Sequence, residues 1–134
     1  MTESYRVEVP CAWAYQAELN PLRARLVLLR AGVRPPAVGV ACELGYGQGA
    51  SLVLHATASP VAWYGTDFNS AHAVAARRLA ATTGSDAVIC DESFARFCSR
   101  TDLPDFDFIG LHGVWSWIAE ANRDAILRFV QDRL

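Results

Sequence analysis

Three carboxylates recur along this chain at a fixed interval, and each closes a short apolar run. Glu43 ends the run that begins at Val38, Asp67 follows Ala62–Thr66, and Asp91 follows Ala87–Cys90, with twenty-four positions from each acid to the next. Between the runs lie segments of helical composition, about Ala50–Thr57 and Ser70–Thr83, the second closing on Gly84. Strand, helix, strand, with short connections, folds as right-handed crossovers into a parallel sheet covered on both faces. In such a sheet ligands bind outside the carboxyl ends of the strands, so the three acids would line one crevice.

The flanks extend the pattern. Asn20-Pro21 is a helix start, Asn as N-cap and Pro at the first helical position, with Leu22, Leu26 and Leu29 at helical spacing and Gly32 as the stop. A short helix is expected over Ser93–Ser99, a fourth strand over Phe106–Leu111 and a final helix over Trp117–Leu134. That last helix would cover one sheet face through Ile118, Ile126, Phe129 and Val130. At 134 residues, 52% apolar and 19% charged, the chain suits one domain with a packed core. We divide it into an N-terminal segment and helix, 1–37, and a ligand-binding unit, 38–134.

Composition removes several functions. A net charge of −2 gives no electrostatic case for nucleic acid, and the Arg77-Arg78 pair reads as a wet helix face. All twelve basic residues are Arg, so a Schiff-base or P-loop lysine is excluded. Cys11, Cys42, Cys90 and Cys98 have no zinc spacing, and Cys42 and Cys90 are expected as buried free thiols. His55 and His72 fall on helices and are expected in solvent, leaving no metal triad. Without an apolar run of membrane length or a signal peptide, the expected location is cytoplasmic.

The chemistry centres on Glu43-Leu44-Gly45-Tyr46-Gly47-Gln48-Gly49. The glycines allow a sharp turn and close backbone approach to a ligand, and the following helix offers its unpaired amides. A dinucleotide fingerprint places the third glycine one position later. The pattern here resembles motif I of class I S-adenosylmethionine-dependent methyltransferases, an acid followed by GxGxG. Carboxylates also suit a cofactor that carries a sulfonium and an ammonium but no phosphate.

That resemblance implies a Rossmann-like sheet whose first four strands lie in the order 3-2-1-4, within a seven-stranded fold. The sequence through Leu134 supplies four strands, so it is expected to be the cofactor-binding portion. The resemblance implies that Glu43, Gly45, Tyr46, Gly47 and Gly49 form the cofactor loop. Asp67, followed by Phe68, would accept from the ribose hydroxyls. Asp91 would meet the adenine amino group, with Glu92 and Ser93 offering amides beside the ring. The run Leu111-His112-Gly113-Val114-Trp115-Ser116-Trp117-Ile118 is similar to one in bacterial methyltransferases that carry a regulatory domain, a group that includes protein lysine methyltransferases. Tyr15 and Glu18-Leu19-Asn20-Pro21 resemble the segment that precedes motif I there. His112 becomes the candidate catalytic residue and a contact of the methionine moiety. Trp115 and Trp117 are expected to pack on the final helix rather than form a cage for a methylated lysine.

A protein lysine, a small amine or a hydroxyl remains open as acceptor. Two other functions stay open: an NAD-type oxidoreductase, which GxGxG disfavours, and a catalytically silent module that binds S-adenosylmethionine or S-adenosylhomocysteine. As an edge, the fourth strand would favour a symmetric homodimer.

Overall fold

The computed structural model describes residues 13–134; Cys11 lies outside the described residues. A 3-10 turn, Ala17–Leu19, leads into α1 (Pro21–Arg30), β1 (Val40–Leu44), α2 (Ala50–Ala58), β2 (Ala62–Asp67) and α3 (Ser70–Thr83). The chain continues through β3 (Val88–Asp91), α4 (Phe94–Cys98), β4 (Phe108–Gly110) and α5 (Glu120–Arg133). The sheet is parallel, in the order β3-β2-β1-β4. Register places Glu43 beside Gly65 on β2 and Gly110 on β4, and Asp67 beside Asp91. The three acid-bearing positions therefore sit within one short stretch of the sheet's carboxyl edge.

Alternation along β1 and β2 sends side chains into two different cores. Ala41 and Trp63 pack with Leu52, Ala73 and Ala76 under α2 and α3. Cys42 and Leu44 pack with Phe94, Phe97, Phe106, Ile126 and Phe129 under α4 and α5. Small residues on the first face let the helices come close to the strands. Gly49, at φ +81°, starts α2 where any Cβ would collide with Ala76 of α3, so that crossing depends on glycine.

Several boundaries and environments differ from expectation. β4 has three residues rather than six, because the chain leaves the sheet after Gly110. The final helix begins at Glu120, not Trp117; a turn closed by Trp117 N–H donating to the Val114 carbonyl precedes it. That turn buries Val114 and Ile118. Trp115 and Trp117 remain exposed, and Trp115 meets α5 through the Arg123 guanidinium, 5.9 Å from its ring centre. Cys42 is buried, whereas Cys90 on β3 is half-buried.

Neither helical histidine is in solvent. His55 is 6% exposed, stacked on Trp63 and bonded to the Tyr15 hydroxyl at 3.1 Å. His72 lies 3.2 Å from an Asp67 oxygen. The first contact spans forty positions of sequence and the second reaches back from α3 to the end of β2, and helical periodicity encodes neither. Among the described residues no helix is long and apolar enough to cross a membrane.

Candidate cofactor crevice

Glu43, Gly45, Tyr46 and Gly47 line a cavity of about 150 Å³ at the carboxyl end of β1, closed on one side by His112. Gln16 and Ser51 complete its wall, and the Gln16 amide donates to Ser51 Oγ at 2.7 Å, which ties the N-terminal segment over the site. Leu19 anchors the same segment against Gly110, where an added Cβ would come within 2.9 Å of a Leu19 methyl. Sequence reasoning missed Gln16 and Ser51. The likeness around Tyr15–Pro21 marked the segment but not where it packs.

The glycine loop is held from below by a carboxylate. Gly47 N–H donates to Asp67 Oδ2 at 2.9 Å, while Asp67 Oδ1 accepts from Asn69 N–H and faces His72 Nδ1. Asp67 is 5% exposed, so its four acceptor sites are mostly committed to the protein itself. Gly45, at φ +77°, has no room for a side chain, since a Cβ there would lie 2.6 Å from Val114. Tyr46 lies across Gly65 and donates its hydroxyl to the Cys90 carbonyl at 2.8 Å. What Tyr46 adds is a strut between loop and β3.

Glu43 is the most unusual group. It is 3% exposed, and its Oε2 has no hydrogen-bond partner among the described residues. Burial, with the neighbouring Asp67 charge, pushes its carboxyl up to about 8. A buried acceptor left unpaired costs free energy, and a cation or donor delivered to it would recover that cost.

On the β3 side, Asp91 is exposed at its strand end. The Glu92 amide, expected beside a ligand ring, is already used: it donates to the Asp67 carbonyl at 3.1 Å. Thr66 Oγ1 donates in turn to the Glu92 carbonyl at 2.7 Å. The Glu92 carboxylate faces Arg100 at 3.5 Å, and Ser93 Oγ caps α4 through the Arg96 amide. Phe68 lies half-buried immediately after Asp67. The structure thus gathers Glu43, the glycine loop, Asp67 and His112 around one opening, with Asp91 to Ser93 along the same sheet edge. Among the described residues no cluster of three metal-ligating side chains exists.

The fold is that of class I S-adenosylmethionine-dependent methyltransferases, represented by the Rossmann-like sheet with strand order 3-2-1-4. No family model matches the chain. It is 40% identical over 137 residues to the uncharacterized protein sll1526 of Synechocystis, covering 98% of this chain and 27% of that protein. Among solved structures it resembles PKMT2 from Rickettsia typhi in complex with AdoHcy, at TM-score 0.81 and 20% identity over 93% of this chain and 24% of that one. A putative O-methyltransferase from Klebsiella pneumoniae superposes at TM-score 0.65 and 20% identity, over 92% and 53% of the two chains. A SAM-dependent methyltransferase from Thiobacillus denitrificans, in complex with S-adenosyl-L-homocysteine, does so at 0.59 and 22%, over 96% and 47%. The chain spans about a quarter of the length of the Synechocystis and Rickettsia proteins.

Proposed function

We propose that this chain binds S-adenosylmethionine in the crevice between the glycine loop and Asp91, and serves methyl transfer as the cofactor-binding unit, residues 38–134, of a cytoplasmic methyltransferase. The observation that carries this reading is Glu43: a buried, unpaired carboxylate beside a glycine loop that Asp67 holds open. A cofactor with an ammonium and a sulfonium supplies the positive charge that this acidic crevice lacks. The neighbours bound to AdoHcy, the demethylated product, support the same ligand class.

When bound, S-adenosylmethionine supplies an activated methyl group on sulfur. The chain's part is to bind, orient and exclude water. Glu43 meets the cationic end of the ligand. The Gly45 and Gly47 backbone lets the ligand approach without a Cβ in the way. Asp67 keeps an acceptor for a ribose hydroxyl on Oδ2, and Asp91 accepts from the adenine amino group. His112, exposed at the mouth, takes a proton from an acceptor such as a protein lysine or small amine.

A second reading, a catalytically silent binding module, is favoured by one observation. No described side chain hydrogen-bonds His112, so among the described residues nothing orients this candidate base. This reading predicts binding without multiple turnover on generic amine acceptors.

Calorimetry with S-adenosylhomocysteine and NAD is the direct test. The first should bind and the second should not. Asp67→Ala and Gly47→Val should each weaken S-adenosylhomocysteine at least roughly tenfold, less than the loss expected for one charge-assisted hydrogen bond. Two variants that bind like the parent would refute the assignment.

A further inference from the structure

At the amino ends of β1 and β2, opposite the crevice, α1 stands off the body of the protein. None of its residues is buried. Beneath it lies a cavity of about 320 Å³ walled by Leu22, Val38, Val61 and Trp63. A second hollow, lined by Leu29 and Arg34, continues from it and shares Arg25 and Pro36. The volume falls within the range of small-molecule sites and is too small for a helix or strand of a partner.

Two arginines stand at the rim of this cleft, and among the described residues neither Arg25 nor Arg34 has an ion pair. The sequence has no Asp or Glu between Glu18 and Glu43. At the back, His55 stacks on Trp63 with ring centres 5.0 Å apart. Their buried Nδ1 and Nε1 atoms have no partner among the described residues. The arrangement is an apolar floor with two guanidinium forks at its rim that have no ion pair among the described residues, and such forks match carboxylate geometry.

We propose that this cleft is a second ligand site, taking an amphipathic carboxylate whose chain lies on Val38, Val61 and Trp63 and whose head sits at Arg25 and Arg34. The site is separate from the crevice and does not depend on what the crevice binds.

Octanoate and octanol, titrated into the full chain with and without saturating S-adenosylhomocysteine, test it. Octanoate should bind at least roughly tenfold more tightly than octanol, a difference of about 1.4 kcal/mol. The Arg25→Ala/Arg34→Ala variant should erase that preference while leaving octanol unchanged. Ala58→Trp, which fills the cavity from α2, should abolish both and leave S-adenosylhomocysteine affinity as in the parent. Equal binding of the two probes, an unchanged preference in the double variant, retained binding in Ala58→Trp, or displacement by S-adenosylhomocysteine would overturn the proposal. These positions have no buried packing to lose, and circular dichroism checks that each variant is folded.

Discussion

At the scale of single residues, Glu43 ties ligand binding to a proton. Its folded carboxyl is raised from 4.5 to about 8, so in the free protein it is mostly protonated at neutral pH, while in the unfolded chain it is ionised. The unfolded state therefore binds fewer protons between these values, and stability falls as pH rises from about 4.5 to about 8. Glu43→Gln should remove that fall, so its advantage in melting temperature over the parent should widen from pH 5 to pH 8. A ligand ammonium group at Glu43 favours the ionised form. Binding of S-adenosylhomocysteine at pH 7 should then release a proton, seen as a dependence of calorimetric heat on the ionisation enthalpy of the buffer. The Gln variant should lose that dependence. A buffer-independent heat for the parent would show that the ligand does not reach this carboxylate.

At the scale of elements, the sheet was legible to within a few residues, and α3 matched from end to end. Apolar runs, their terminal acids and glycine stops are local signals, and parallel topology follows from their alternation. What could not be read was where side chains travel afterwards. Tyr46 sits in the middle of the glycine motif, yet its ring belongs to β3. Asp67 reads as a ligand residue and is also the support of the loop. Asp107 reads as a lone charge on an edge strand; in the structure its Oδ2 accepts from Gly39 and Val40 N–H at 2.8 and 2.9 Å. Its own amide donates to the Val40 carbonyl, so β4 is fastened to the start of β1. Those two amides hold the Asp107 carboxyl below its ordinary value. A depressed carboxyl contributes stability above its unfolded value, which is lost as pH falls through the folded one. Asp107→Asn should thus lower the urea midpoint at pH 7 and narrow the gap from the parent by pH 3. A gap that persists at pH 3 would mean the bonds act without the charge. At the sheet's other end, Gly49→Ala should cost about 1–2 kcal/mol for its left-handed backbone alone, with the Ala76 collision added.

For the whole molecule, the open question is what meets the outer edge of β4. Among the described residues no strand pairs there, and Phe108 and Ile109 are only half-buried. Unpaired strand edges template association, and we propose that two copies pair across this one as a symmetric homodimer. Light scattering at micromolar concentration should give about twice the 14.6 kDa chain mass, and Ile109→Lys should return it to that mass. A parent that scatters as a single chain would exclude the dimer. Ile109→Lys also borders the core, so its folding needs an independent reading, and the packing under α4 and α5 provides one. Tyr64, Phe106, Phe129 and Phe97 form a chain of rings, each 5.7 or 5.8 Å from the next. Ring currents from such a row displace the resonances of aliphatic groups packed beside it, Ile126 among them. A one-dimensional proton spectrum therefore carries its own signature of this layer: methyl signals far upfield while the rings are packed together, and none once they come apart.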